Sequence, residues 1–426
     1  MHSFFKIKNK KMKTQKHKIL GLLLFTSLSI TAQTSNFGEL SILPDTQMSI
    51  VGDFNNTPTG IVMNDGELIV HSNFNNDGLF SYLDAVNNGL TSFEGTSVQQ
   101  ITGNQPMEFY NVLFNNTSTE PAIELIGDIS IVNTAEFFRG VVKNDDFGGR
   151  IEFEQFADHI NTSDASYVDG SVYKNGNTAF EFPIGDGGFY QKAAISVPDT
   201  NSDVFTSKYF FENSNAIYPH SLAIGVIELI DDAEYWTISR EQGSSNVMVT
   251  LSWNNATTPA AITTGSTSAI HVVRWDEVQG FWVDEGGIVD DASQTVTTMA
   301  EVSSYGVFTL ARVKEEIILP GNVIIYNAIS PNDDNQNSFF FIDGISNFPN
   351  NSVQIFSRWG VKVFETTGYN ETDNVFTGFS DGRATINKEE QLPTGTYFYV
   401  LNYEYNNGTE IQTVRRTGYL YINKDE

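Results

Sequence analysis

Short runs of alternating apolar and polar residues recur along most of the chain, for example at Glu67–Val70 and at residues 122–126 and 247–251. A period of two residues is typical of β-strands with one buried face. After residue 33, no segment carries a helical period over enough length to predict a helix with confidence. The pattern predicts an all-β protein, and 32 Phe, 17 Tyr and many β-branched residues agree with it.

A repeat is visible between residues 33 and 164, where the tripeptide Phe-Asn-Asn occurs at residues 54–56, 74–76 and 114–116. The spacings of 20 and 40 residues suit the coils of a β-solenoid, in which each flat coil buries its apolar face against its neighbours. Asn tolerates the left-handed backbone at corners and can form hydrogen-bonded ladders along them. The alternative is an ordinary antiparallel sandwich with coincidental Phe-Asn-Asn turns.

Residues 165–314 lack the repeat and predict a β-sandwich. Residues 272–275 and 281–283 form a predicted hairpin, and residues 235–238 and 249–253 are predicted as neighbouring strands. Residues 185–188, Gly-Asp-Gly-Gly, fit a tight turn with positive φ. Residues 315–321 are predicted to be a linker.

The last domain, residues 322–426, contains about seven predicted strands, with Gly360, Gly395 and Gly408 between them where the backbone must turn. Strand number and spacing predict an immunoglobulin-like β-sandwich of about 100 residues.

Four segments of this domain, at residues 330–334, 355–365, 392–400 and 418–423, also resemble a known module. They are similar, in order, to the gliding-motility-associated C-terminal domain, the type B sorting domain of type IX secretion. The residues that carry the resemblance are Ser330, Pro331, Asn332, Arg358, Trp359, Gly360, Leu392, Pro393, Gly395, Thr396, Tyr397, Gly418 and Tyr419.

The resemblance implies a route for the protein. It implies passage across the outer membrane of a Bacteroidetes-type bacterium, a final place on the cell surface or in the medium, and a PorP/SprF-type outer-membrane partner. The family's loop suggests a calcium-type turn, but here Asp333 replaces a glycine and Ser338 replaces the last acid, so Asp333 and Asp334 are weak candidate metal ligands.

The first 32 residues predict a secretory signal peptide. Seven Lys precede a short apolar run, and a small residue, Ala32, ends a cleavage site. The apolar run is too short for a membrane span, which needs about 20 residues. We therefore expect Sec export to the periplasm as the first step.

The composition of the chain excludes several classes of partner and of chemistry. Removal of the signal leaves 17 Lys and Arg against 52 Asp and Glu, a formal charge of −35, which disfavours nucleic acid as a partner. The chain has no Cys, so disulfides, thiolate catalysis and zinc–sulfur sites are excluded.

Candidate chemistry is sparse. No zinc-protease, nucleophile-elbow or phosphate-loop motif occurs, and the mature chain has four scattered His, at positions 71, 159, 220 and 271. Asp145, Asp146, Glu152 and Glu154 could serve a glycosidase or a calcium-assisted lyase, although solvated surface charge explains them as well.

Two further groups of residues are candidates for calcium or sugar binding. The acidic pairs at residues 231–232, 284–285 and 290–291 suggest calcium ligands near turns. Trp236, Trp253, Trp275 and Trp282 could stack on sugar rings, but Trp in strands usually faces the core.

The sequence therefore favours a non-enzymatic, adhesin-like or matrix protein that needs no cofactor and has surface glycans as possible ligands. A secreted carbohydrate-active enzyme is the alternative.

Overall fold

The computed structural model describes residues 33–83, 88–223, 227–278, 280–313, 319–326, 328–329, 331, 338–380, 391–408 and 410–422. The predicted signal peptide lies outside these residues. Among these residues, strands account for 52% and helices for 4%, which confirms the all-β prediction. Among the described residues the longest helix is the four-residue α1, Ala260–Thr263. Short 3-10 turns cover Ser214–Ala216, His220–Leu222, Thr267–Ala269 and Ile345–Asn347.

The N-terminal region is a β-solenoid of about six turns, as the repeat predicts. Its strands are β1 Thr34–Asn36, β2 Glu39–Ile42, β3 Gln47–Ile50, β4 Phe54–Asn56, β5 Ile61–Asn64, β6 Glu67–Val70, β7 Phe74–Asn76, β8 Leu79–Ser81, β9 Leu90–Phe93, β10 Gln99–Thr102, β11 Met107–Asn115, β12 Ile123–Leu125, β13 Ile129–Arg139, β14 Val142–Lys143, β15 Ile151–Phe153, β16 Asp158–Ile160, β17 Val168–Asp169 and β18 Val172–Asn175.

Three parallel ladders run along the solenoid, so each turn has a triangular section. The first ladder joins β1, β4, β7, β10, β12, β14 and β17. The second runs from β2 through β5 and β8 to β18, and the third from β3 through β6 and β9 to β16. The long strands β11 and β13 cross a corner, with a register shift after Phe109, and so serve both later ladders. Parallel pairing continues past residue 164 to Lys174.

Stacked aromatic and amide side chains hold successive turns together. The rings of Phe54 and Phe74 stack with their centroids 5.1 Å apart inside the coil. At the corner, Asn56 Nδ2 donates to Asn76 Oδ1 at 2.7 Å, and Asn36 Nδ2 donates to Asn56 Oδ1 at 3.0 Å. The repeat thus places identical residues one above the other.

The third Phe-Asn-Asn, at residues 114–116, does not belong to that column. In the next turn Ile101 lies beside Phe74, whereas Phe114 lies on the third ladder between Phe93 and Phe137. The separation between Phe74 and Ile101 is 27 residues rather than 20, because the third turn is longer. The 40-residue spacing is therefore a coincidence of composition, although the fold it suggested is correct.

Residues 180–313 form a β-sandwich on the end of the solenoid. Its strands are β19 Phe180–Phe182, β20 Gly185–Asp186, β21 Phe189–Tyr190, β22 Ala193–Ile195, β23 Val204–Phe210, β24 Ile227–Ile230, β25 Tyr235–Gln242, β26 Val249–Ser252, β27 Ile270–Asp276, β28 Phe281–Gly286, β29 Ile288–Asp290, β30 Thr295–Thr297 and β31 Gly306–Val313. One sheet, in the order β19-β22-β26-β30-β29, faces a second that contains β23, β25, β31, β27 and β28.

The predicted hairpin is confirmed, since β27 pairs with β28 and Trp275 lies opposite Trp282. The turn at residues 185–188 is confirmed as well, with φ of +62° at Gly187 and +89° at Gly188. The predicted pairing of residues 235–238 with 249–253 is wrong, because β25 and β26 belong to opposite sheets. Alternation identifies the buried face of a strand but not its partner.

The sandwich closes the solenoid. Strand β23 pairs antiparallel with β18, which ends the parallel ladder, and one hydrophobic core runs from Ile42 in the first turn to Leu310 in the sandwich. The buried ammonium of Lys174 donates to the carbonyls of Glu154, Gln155 and Ala157 at 2.5, 3.0 and 3.0 Å.

The C-terminal domain has seven described strands: β32 Ile324–Ile325, β33 Ala328–Ile329, β34 Ile342–Asp343, β35 Asn351–Phe356, β36 Lys362–Thr367, β37 Gly395–Asn406 and β38 Ile411–Ile422. A five-stranded sheet, in the order β33-β38-β37-β35-β36, accompanies the β32–β34 pair. Phe376 is buried and its ring lies 5.0 Å from that of Phe364, so it serves as the core aromatic at this place. Leu319, in the predicted linker, is buried in the same core.

Candidate functional site: the outer face of the C-terminal sheet

The five-stranded sheet has an inner face on the domain's own core and an outer face turned away from it. Directly opposed residues on neighbouring strands share a face. On β37, Tyr397, Tyr399, Leu401 and Tyr403 are buried in the domain's core. The outer face therefore carries Phe398, which opposes Tyr419 and Phe356, and Val400, which opposes Thr417.

Some of the residues that carry the family resemblance serve the fold. Leu392 and Tyr397 are buried, and the Tyr397 hydroxyl donates to the Pro393 carbonyl at 3.0 Å. Gly360 has φ of +73° in the β35–β36 hairpin, a conformation that favours glycine. A Cβ at Gly418 would lie 2.3 Å from the Tyr399 hydroxyl oxygen.

Other residues of the same motifs are exposed although they are large and aromatic. Trp359 is 75% exposed at the tip of the β35–β36 hairpin, Tyr419 is 53% exposed and Tyr421 is 44% exposed. The Arg358 guanidinium carbon lies 4.7 Å from the centre of the Trp359 ring, within the range of a cation–π contact. We refer to Trp359, Tyr419 and Tyr421 as the exposed aromatics.

The remaining motif residues have smaller roles or lie outside the described residues. The Pro331 carbonyl accepts a hydrogen bond from Gln391 Nε2 at 2.7 Å, and Thr396 is exposed opposite Tyr421. Ser330, Asn332, Asp333 and Asp334 lie outside the described residues.

Part of the outer face is covered by the β-sandwich of residues 180–313, which we call the middle region. Val400 and Phe356 are buried against Ala300 of the middle region. A Cβ on Gly286 would approach Thr417 Oγ1 to 2.8 Å, and one on Gly360 would approach Met248 Sδ to 2.6 Å. The two domains are therefore in close contact along β28 and β38.

A buried charge cluster lies in this contact. Both carboxylate oxygens of Glu285 are paired, Oε1 with Arg274 Nε at 3.0 Å and Oε2 with Nη1 of Arg415, in the C-terminal domain, at 3.1 Å. Beside it, His271 Nδ1 lies 2.8 Å from Asp284 Oδ1. Burial opposes ionisation of Asp284, but His271 and Arg416 together hold its pKa below the ordinary range.

A cleft of about 230 Å³ opens next to this cluster and is lined by both domains. Arg274, Asp276 and Asp284 lie on its middle-region side, and Asn402, Gln412 and Arg415 on its C-terminal side. Sequence reasoning placed Asp284 and Glu285 at a turn as calcium candidates. Instead they lie within β28 and face Arg and His partners, so that placement is wrong. The sequence did contain a signal for this ion-pair cluster, namely two consecutive acids inside one strand and Arg415-Arg416 inside another.

Most of the other acidic residues proposed as catalytic or calcium-binding groups have separate ion-pair or hydrogen-bond partners. Asp145 pairs with Lys208, Asp146 with Lys143 and Glu152 with Arg150, while Glu154 accepts from Ser130 and Asn175. Asp231 accepts from the backbone of Ala233, and Asp290 from that of Ala292. Across the part of the chain that the structure describes, no group of three or more His, Asp or Glu side chains could hold a metal ion.

The four Trp proposed as sugar platforms are all buried, as the core interpretation predicts. Their ring faces are therefore not offered to a ligand. No helix within the described ranges has the length and apolar character needed to span a membrane.

Comparison with known families identifies the last domain. Residues 323–422 match the model of the CHU_C Type IX secretion signal domain. No curated protein matches the chain, and no solved structure does. The chain therefore carries a type IX secretion signal at residues 323–422, which implies contact with the type IX machinery, export, and a secreted or cell-surface location.

Proposed function

We propose that the chain is an adhesin-like surface or matrix protein whose solenoid and middle region form the exported body. The observation that carries the export part of the proposal is the secretion-signal domain, in which the motif aromatics Trp359 and Tyr419 are exposed. A contiguous apolar patch on a protein surface often marks an interaction site, and Tyr419 and Tyr421 lie two residues apart on the same face of β38. The signal peptide would bring the chain to the periplasm through Sec, and the C-terminal domain would act there.

The exposed aromatics are the proposed contact with the type IX machinery, through a PorP/SprF-type outer-membrane protein. Trp and Tyr contribute most to binding when a partner removes them from water. Trp359 lies in a hydrogen-bonded hairpin turn, where Gly360 N donates to the Ser357 carbonyl at 2.9 Å. Tyr419 and Tyr421 are held by the continuous β37–β38 ladder. A partner would meet these rings already in place.

Export can be tested with two variants and a control. Deletion of residues 322–426 should leave the protein in the periplasm. Trp359→Ala combined with Tyr419→Ala should lower the surface level at least fivefold, while the variant stays folded because neither ring is buried. Phe156→Ala is the matched control, since Phe156 is 77% exposed on the solenoid and should not affect export. Immunodetection on intact cells against periplasmic fractions gives the measurement.

Normal surface levels of the truncated protein would refute the sorting role. Normal levels of the double variant alone would refute the aromatic contact and leave the sorting role in place.

The adhesin-like role rests on the shape and chemistry of the body. Six solenoid turns spaced by about 4.8 Å give a rod of roughly 29 Å, with hydrogen-bonded polar side chains along its outside. Surface glycans are the proposed ligands. A glycan array probed with the full mature chain should show binding by a small set of structures. Turnover of a bound glycan would instead favour the enzyme alternative.

A further inference from the structure

The contact between the C-terminal domain and the middle region is built around one buried acid. The Glu285 side chain is 2% exposed, yet it ties Arg274 of its own sheet to Arg415 of β38. A buried carboxylate is tolerated when charged donors satisfy both of its oxygens. Such a pair adds little net stability compared with apolar residues, but it strongly penalises any arrangement that separates its members. Glu285 therefore specifies how the two domains are docked.

Close backbone and apolar contacts extend the docked surface around this acid. Gly286 leaves no space for a side chain between Met299 and Thr417, and its φ of +84° also favours glycine. The Tyr403 hydroxyl donates to the Pro320 carbonyl at 2.7 Å, next to the position where the chain enters the last domain. Ala269 and Val313 of the middle region belong to the hydrophobic core of the C-terminal domain.

The family match ends at this surface. It covers residues 323–422, whereas Glu285, Gly286 and Ala300 lie in the preceding region. Without the middle region, Val400, Phe356 and Thr417 would be exposed and Arg415 would lose its carboxylate. The hairpin that carries Trp359 would also lose its contact with Met248.

We infer that the middle region is the positioning partner of the sorting domain, and that the Glu285–Arg415 pair fixes the sorting domain on it so that the exposed aromatics face outward. The effective export signal is thus the docked pair of domains. This inference rests on the proposed export function and adds to it the surface on which the signal is mounted.

The test uses the full chain with Glu285→Gln, Arg415→Gln and the double variant. Hydrogen–deuterium exchange should rise at least tenfold in β38 at residues 411–417 and in β28 for each single variant. The double variant should show no more than either single one, because both remove the same pair. Glu365→Gln is the matched control, since it removes an exposed ion pair with Lys362, 2.8 Å long, from the same sheet face. It should change exchange less than twofold.

Export is the second readout. Glu285→Gln and Arg415→Gln should each lower the surface level at least fivefold with Trp359 and Tyr419 intact. Arg415→Lys, which keeps the charge opposite Glu285, should lower it less than Arg415→Gln does. If Glu285→Gln does not fold, Arg415→Gln makes the same test, because Glu285 then still has Arg274.

Unchanged exchange in β28 and β38 would overturn the inference. Raised exchange with normal export would overturn it too, since the sorting domain would then act undocked. Failure of the proposed export function is distinguishable, because in that case the chain without residues 322–426 would itself reach the surface.

Discussion

Asp231 is a buried acid with one carboxylate oxygen that has no hydrogen-bond partner. Its other oxygen accepts from the backbone N–H groups of Ala233 and Glu234 at 2.8 and 3.3 Å. Burial, reinforced by the charge of Glu234, raises the pKa of Asp231 to about 8. The folded chain therefore keeps a proton on this residue at pH values where the unfolded chain has released it.

Asp231→Asn should remove this pH dependence. Between the ordinary pKa of 3.8 and about 8 the folded state binds more protons than the unfolded state, so the wild-type free energy of unfolding falls as pH rises. Asn keeps the accepting oxygen and has no proton to lose. Melting temperatures from pH 5 to 8 should show a stabilising effect of the variant that grows with pH. Asp232→Asn, at an exposed neighbour, is the control, and parallel curves for Asp231→Asn and wild type would contradict the prediction.

In the solenoid, the corner ladder through Asn56 joins three successive turns by side-chain hydrogen bonds. Asn56 is fully buried and donates to both Asn76 Oδ1 and the Leu79 carbonyl, the latter at 3.0 Å. Only glycine fits at position 60, because a Cβ there would lie 2.1 Å from Asn56 Oδ1. The side chain, the corner glycine and the neighbouring turns are thus fitted to one another.

Asn56→Leu should destabilise the protein by about 2–4 kcal/mol, since it leaves buried partners in two turns unsatisfied at roughly 1–3 kcal/mol each. Asn55→Leu is the control, because Asn55 points outward and is only partly buried. Chemical denaturation with a solenoid-specific probe measures both. Equal losses of unfolding free energy in the two variants would mean that the buried ladder stabilises the protein no more than the partly exposed Asn55 does.

The sequence predicts such elements unevenly. Residues 54–56 and 74–76 identified the solenoid because turns of equal length place identical residues in one column. The third Phe-Asn-Asn, at residues 114–116, suggested another turn in the same column. It lies on a different ladder, because the longer third turn shifts where the following residues fall around the coil. The hairpin of β27 and β28 could be predicted from its short turn, but β25 and β26 could not be assigned to separate sheets, because alternation says nothing about the partner.

The same limit applies to the candidate site. Trp359 and Tyr419 were recognisable as motif residues, yet their exposure depends on which sheet face the middle region covers. The pairing of Glu285 with Arg415 joins residues 130 positions apart and was not predictable from local pattern.

At the scale of the whole molecule, the solenoid is a stack whose length can change without altering either end. Phe54 and Phe74 occupy the same column, as do Asn36, Asn56 and Asn76. Excision of residues 54–73 removes one full turn and joins Asp53 to Phe74, so β1 can pair with β7 in the register it now has with β4. The sandwich and the C-terminal domain keep all their contacts.

We expect this one-turn deletion to fold, to shorten the rod by about 4.8 Å and to reach the cell surface at the wild-type level. Excision of residues 54–63, half a turn, is the control; it brings strands of different faces together, and we expect it to unfold the solenoid. Circular dichroism, thermal melting and surface immunodetection measure both variants. If export fell for the correctly folded one-turn deletion, solenoid length would itself be read during secretion. If both deletions melted alike, the repeat would not be the unit of stability, because only the full-turn deletion preserves the column of Phe and Asn side chains.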